Sequence, residues 1–268
     1  MITSIDNAQV KHLVRLREKA KYRRDCGQYI VEGPRMAREV PQEMLEAVYV
    51  LERFEAAHPE DARQLYRKAQ MAGAACERLS EAAFAKASGT VTPQGVLCVV
   101  RQRKVAFADL LAAEGTRVLL VLEGIRDPGN LGTMLRTGEA AGVSGIIADE
   151  ETADLYQPKV VRGTMGAIFR VPYVRVPDPA ACIGQIRAAG IRTVATLPEA
   201  GTDYTSAPLG GDTAFLVGNE GRGLSAALAE AADIRVRIPM EGQAESLNAA
   251  VAAALCLYEA KRQRDLKR

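Results

Sequence analysis

The chain has 268 residues, of which 48% are hydrophobic and 25% charged, and its formal net charge is +2. These values fit a globular protein of one large or two ordinary domains and exclude a disordered or fibrous chain. No apolar run reaches membrane-spanning length, and MITSIDNAQVKHLVRLREK lacks the apolar core of a secretory signal, so a cytoplasmic protein is expected.

Along the first hundred residues helical and extended patterns alternate. Residues 7–22 read as a helix, and QYIVE (28–32) reads as a strand. A short helix follows over 34–40, then the strand EAVYVL (46–51) and a charged helix over about 58–72. ACERLS is expected to be a short strand, EAAFAKA a helix and GVLCVV (95–100) a last strand. This pattern predicts a small α/β domain over 1–104, joined by a linker at 105–115 to a second domain over 116–268. Between residues 11 and 24 stand seven cations, Lys11, Arg15, Arg17, Lys19, Lys21, Arg23 and Arg24, against the single acid Glu18. That stripe is either a solvated helix face or a phosphate-binding surface.

The second half has stronger strands. VLLVLEG (118–124) is continuous and apolar, as a parallel strand covered on both faces must be. A helix then runs to Gly142, followed by the strand GIIA, a helix over about 157–164 and the extended segment AIFRVPYVRV. A helix to Gly190, the strands RTVAT and TAFLVG, a helix from Ser225, the strand IRVRIPM and a closing helix complete the chain. Such alternation with short connections predicts a parallel α/β sheet.

Ligands of open parallel sheets bind at the carboxyl ends of the strands. Three loops there are polar and glycine-rich: EGIRDPGNLGTMLRTGEAAG, LVGNEGRGLS and IPMEGQAESLN. None contains G-x-G-x-x-G or a Walker P-loop, so the common nucleotide readings fail, an oxidoreductase among them. Five dispersed cysteines (Cys26, Cys76, Cys98, Cys182, Cys256) without a C-x-x-C pair read as reduced, mostly buried thiols. The two histidines, His12 and His58, lie far from these loops, which argues against a metal site and against a Ser–His–Asp triad. Ser246 and Asn248, just before the apolar closing helix, are expected to cap its first turn.

DPGNLGTMLRTGEAAG, LVGNEGRGLS and IPMEGQAESLNAAVAAAL, in that order and spacing, resemble the three motifs of the SpoU (TrmH-like) family of ribose 2′-O-methyltransferases, which belong to the SPOUT class. RGTMGAIFRVPY at 162–173 also fits, with Thr164 at a position where serine is expected. The segment NAQVKHLVRLREKAKYRRDCGQYIVEGPRMAREV resembles the substrate-binding domain that often precedes such a catalytic domain and is itself similar to small ribosomal proteins. The resemblance implies methylation of a ribose 2′-hydroxyl in rRNA or tRNA with S-adenosylmethionine, by a homodimer whose catalytic domain carries a deep trefoil knot. It makes Lys19, Lys21, Arg23 and Arg24 an RNA footprint. Arg136 is implied to meet the 2′-hydroxyl, as base or as electrostatic stabiliser; Asn130 helps form the pocket, and Glu220, Ser246 and Asn248 orient Arg136. The cofactor is implied to lie among Thr196, Leu197, Pro198, Leu216, Gly218, Asn219, Gly221, Ile238, Met240, Ser246 and Leu247, with no metal. The rival reading is a non-catalytic RNA-binding protein of ribosome assembly, against which the intact set of polar site residues argues.

Overall fold

A computed structural model describes residues 1–267, which form two compact units: 1–104 with 154–169, and 105–153 with 170–267. In the first unit the elements are α1 (Ala8–Glu18), α2 (Ala20–Cys26), β1 (Gln28–Glu32), α3 (Pro34–Glu39), β2 (Leu45–Leu51), α4 (Glu52–Ala57), α5 (Pro59–Ala72), β3 (Ala75–Leu79), α6 (Glu81–Ala87) and β4 (Val96–Arg101). Its sheet has the order β1-β4-β2-β3, antiparallel except between β2 and β3.

The helix expected over 7–22 is two helices. Lys19 is extended (φ −114°, ψ 106°) and separates α1 from α2. The break leaves carbonyls of the last turn of α1 without helical partners, and Arg23 takes them: its Nη1 donates to the Leu16 carbonyl at 2.6 Å and to the Arg17 carbonyl at 3.0 Å. Arg23 also donates to Asp154 Oδ2 from Nε at 2.9 Å and from Nη2 at 2.6 Å, and is only 3% exposed. This corrects the expected footprint, because a guanidinium buried and saturated in this way presents nothing to RNA. Tyr156 packs on Tyr29 with ring centroids 4.8 Å apart, so 154–169 is anchored in the first unit although it lies in sequence inside the second.

The second unit begins with α7 (Phe107–Leu111), β5 (Val118–Leu122), α8 (Pro128–Ala141) and β6 (Gly145–Ala148). The helix α9 (Pro158–Thr164) packs with the first unit, and Thr164, fully buried, donates its hydroxyl to the Val161 carbonyl at 2.8 Å. Next come β7 (Tyr173–Arg175), α10 (Pro179–Ala188), β8 (Arg192–Thr196), β9 (Thr202–Asp203), β10 (Thr213–Val217), α11 (Ala226–Glu230), β11 (Ile234–Arg237) and α12 (Ala249–Asp265). All seven strands are parallel, in the order β7-β6-β5-β10-β8-β11-β9. Every residue of VLLVL and TAFLV is buried, as helices on both faces require. The two-residue β9 carries no sequence signal of its own.

Chain order and sheet order part company at the centre, where β10 is inserted between β5 and β8. The closing helix α12 packs on α8 and β10. Near its end Gln263 is gripped by the segment before β10: the Leu209 N–H donates to its Oε1 at 2.8 Å, and its Nε2 donates to the Ala207 carbonyl at 2.9 Å.

The thiols differ from expectation. Only Cys98 and Cys256 are buried, and burial pushes both up to about 12. Cys26 ends a surface helix and Cys76 lies on the edge strand β3, so both are exposed. Among the described residues no helix is long and apolar enough to cross a membrane.

Candidate active site

Because the sheet is parallel, the carboxyl ends of β5, β8, β10 and β11 open onto one edge. Thr196, Leu197 and Pro198 lie at the end of β8, Leu216 to Gly221 at the end of β10, and Ile238 and Met240 beyond β11, with Ser246 and Leu247 before α12. Thr196 Oγ1 donates to the Leu216 carbonyl at 2.9 Å, and the Leu197 N–H to the Val236 carbonyl at 2.9 Å, which ties three of these strand ends together. Residues 238–247 make no backbone–backbone hydrogen bond among the described residues, which leaves their N–H and C=O groups available to solvent or a ligand.

The loop after β10 is shaped by Asn219. Its Oδ1 accepts from the Gly221 and Arg222 N–H groups at 2.9 and 3.1 Å, and its Nδ2 donates to the Gly124 carbonyl at 2.8 Å. Gly218 must be glycine: a Cβ there would stand 2.2 Å from the Gly223 carbonyl carbon and 2.3 Å from the Leu224 nitrogen. The turn places Glu220 beside α8.

Three of the five expected catalytic residues meet. Asn130, in the first turn of α8, donates from Nδ2 to Glu220 Oε1 at 2.5 Å and accepts on Oδ1 from Asn248 Nδ2 at 2.9 Å. Both anchors of Asn130 are themselves fixed. Asp127 caps α8, accepting the Asn130 N–H at 2.9 Å, and Asn248 caps α12, accepting from the Ala250 and Val251 N–H groups at 2.9 and 3.3 Å. The capping role expected of Asn248 is therefore present. Ser246 makes no such bond, because it lies outside the first turn and is exposed.

Arg136 is exposed on α8, where it continues the i, i+3 row of Asn130 and Thr133. No side chain of the described residues is bonded to its guanidinium, so the orienting contacts expected from Glu220, Ser246 and Asn248 are not made within one chain. Beside the row lies a groove of about 470 Å³, lined by Asn130, Thr133, Asn248, Val251, Leu255 and Tyr258. Val251 and Tyr258 are each 48% exposed, so α12 keeps one apolar face uncovered in the single chain. In the first unit, Lys19, Lys21 and Arg24 are exposed.

This constellation of loops matches known sequences. Residues 117–258 match the SpoU rRNA Methylase family, and residues 7–98 match the MRM3-like substrate binding domain. The chain belongs to the SpoU rRNA methylase family. It is 34% identical over 96% of its length, and 97% of the relative's, to the 23S rRNA (guanosine(2553)-2′-O)-methyltransferase RlmP of Bacillus subtilis. Among solved structures it is similar to an AdoMet-bound rRNA methyltransferase of Sinorhizobium meliloti, with a TM-score of 0.86, 32% identity and 97% of each chain covered. It is also similar to the SpoU methyltransferase AviRb of Streptomyces viridochromogenes, with a TM-score of 0.86, 29% identity, and 98% and 99% covered. The α/β fold with a parallel sheet is that of these SPOUT enzymes.

A polar cluster that reaches into the second motif through Arg222 and Ser225 escaped the sequence reading. Glu151, after β6, accepts from both Arg126 and Arg222, and Glu123 accepts from Ser225. The signal was available, since Asp149, Glu150 and Glu151 directly follow the strand GIIA, as the three chosen loops follow theirs.

Proposed function

We propose that this chain is an S-adenosylmethionine-dependent RNA methyltransferase that methylates a ribose 2′-hydroxyl of ribosomal RNA in the cytoplasm, acting as a homodimer. The observation that carries the reading is the Glu220–Asn130–Asn248 bond chain, which joins all three family motifs at one point of the sheet edge. Unpaired backbone groups over 238–247 suit the cofactor, whose adenine and ribose need such donors and acceptors. S-adenosylmethionine supplies a methyl group already activated by its sulfonium. The chain's residues must then position the ribose and stabilise its oxygen. Arg136 brings a guanidinium, a fork of donors with no acceptor, which suits stabilising a developing 2′-oxyanion better than removing the proton. Asn130, clamped from both sides, presents a fixed pocket wall. A deep knot is part of this reading, supported by the grip of residues 207–209 on Gln263. Calorimetric titration with S-adenosylmethionine, without added metal, is expected to show one site per chain; no binding by folded protein would favour the non-catalytic RNA-binding alternative.

The exposed cations Lys19, Lys21 and Arg24 support the RNA footprint, now without Arg23. Replacing all three by glutamine is expected to weaken rRNA binding and to lower the slope of log K against log salt by about 2–3, since up to three phosphate contacts are lost. Filter binding across a salt series reads this, and an unchanged slope leaves the stripe a solvated face.

The uncovered face of α12 and the unengaged Arg136 support a dimer that shares its sites. Arg136→Ala and Asn248→Ala proteins, each strongly impaired alone, are expected to regain part of their activity after subunit exchange. Loss of the Asn248 cap costs only about 1 kcal/mol, so that variant still folds. A monomer in sedimentation rejects the dimer, and a dimer without complementation rejects the shared site.

A further inference from the structure

Four bridges join the loop after β5, which leads to Asn130, to the loop after β10, which carries Glu220. Three are direct: Asn219 to the Gly124 carbonyl, Asn130 to Glu220, and the Ser225 N–H and Oγ to Glu123 at 2.7 and 2.8 Å. The fourth runs through a third loop. Glu151 Oε2 accepts from Arg126 Nη2 at 2.5 Å and from Arg222 Nη2 at 2.9 Å, so one oxygen holds one guanidinium from each loop. Arg126 immediately precedes Asp127, the cap that fixes the Asn130 N–H, and Arg222 stands two residues beyond Glu220.

The neighbouring charges are already engaged. Asp149 accepts from the Gly124 N–H and from both the N–H and hydroxyl of Thr152, while Glu123 is taken by Ser225. Arg175 reaches Glu150 and the Thr152 and Ala153 carbonyls. Glu151 is therefore the counter-ion of two guanidiniums that otherwise repel each other, and hydrogen bonds from Arg126 and then Arg222 hold its carboxyl below the usual range. All three side chains are well exposed, and exposed pairs contribute little to folding. Their consequence lies in the spacing of the loops.

We propose that Glu151 is a positioning residue for methyl transfer: by drawing Arg126 and Arg222 together it sets the separation of the two loops and keeps Asn130 on Glu220. The inference rests on the reading that these loops form the methyl-transfer site. Removing the carboxylate leaves two cations face to face and pushes the loops apart. Removing one of those cations as well relieves the repulsion.

The test uses the full chain and ribosomal RNA from a strain deleted for this gene, with single-turnover transfer rates, RNA and S-adenosylmethionine affinities, and melting temperatures. Glu151→Gln is expected to slow transfer by about tenfold, as misplacement of a site by a fraction of an ångström does, with affinities and melting temperature near wild type. The double variant Glu151→Gln/Arg222→Gln is expected to be faster than Glu151→Gln alone, a coupling that a purely structural role does not produce. A Glu151→Gln protein with the wild-type rate, or a double variant slower than the single, overturns the proposal. So does tighter RNA binding by Glu151→Gln with weaker binding by Arg222→Gln, which makes the arginines phosphate ligands masked by Glu151. Loss of S-adenosylmethionine affinity in Arg126→Gln or Arg222→Gln, with RNA binding intact, assigns them to the cofactor instead. A wild-type protein that neither binds S-adenosylmethionine nor transfers a methyl group overturns the reading of the site itself, and with it this proposal.

Discussion

Arg136→Ala is expected to slow methyl transfer by about 10²- to 10³-fold, the usual loss when one charge-stabilising donor is removed from a reacting oxygen. S-adenosylmethionine affinity is expected to stay at the wild-type value, because Arg136 lies on α8 and makes no bond to the loops at the ends of β8, β10 and β11. The fold should be unaffected as well: the side chain is exposed and bonded to no other side chain of the described residues. Arg136→Lys keeps the charge but loses the planar fork, so its rate should fall between the two. Single-turnover transfer and calorimetry measure both quantities. An Arg136→Ala protein within a few-fold of wild type removes Arg136 from the site.

The second large effect is on stability, and it falls on a residue that sequence pattern places in the RNA footprint. Arg23→Ala is expected to destabilise the first unit by about 3 kcal/mol, the lower end of the range for breaking a buried ion pair. Its loss leaves Asp154, whose side chain is 19% exposed, without its cation, and frees the Leu16 and Arg17 carbonyls that Arg23 now satisfies. Denaturant unfolding of the full chain reads the change. The Lys19, Lys21 and Arg24 substitutions, by contrast, should leave the midpoint within error, since surface charges away from such networks shift stability by no more than about 0.5 kcal/mol. If Arg23→Ala unfolds at the wild-type midpoint while losing RNA affinity, Arg23 is a phosphate ligand after all.

Arg23 shows where sequence reading stops. A run of seven cations between residues 11 and 24 carries no mark of which one turns inward; that depends on Asp154, 131 residues away. The strands, by contrast, were legible. VLLVL and TAFLV are too apolar for anything but a sheet covered on both faces, and Pro128 and Gly142 bound α8 by their own backbone preferences. Strand order was not legible: nothing in TAFLVG indicates that β10 enters between β5 and β8. In the site, Asn130, Glu220 and Asn248 were found because their motifs carry them, and the structure brings them within hydrogen-bond distance. Ser246 shared the pattern of a cap without being one, since a capping side chain serves only from the residue where the helix begins. Glu151 was missed because its meaning comes from two arginines on other loops.

Methyl transfer itself tests the central claim most directly. Wild-type protein is incubated with S-adenosylmethionine carrying a labelled methyl group and with ribosomal RNA from a strain deleted for this gene, and the RNA is then hydrolysed with alkali. A 2′-O-methyl group blocks attack by that oxygen on the adjoining phosphate, so the predicted result is label confined to an alkali-resistant dinucleotide. Label recovered in mononucleotides, which places the methyl group on a base, or no label in RNA that the protein binds, would contradict ribose 2′-O-methylation.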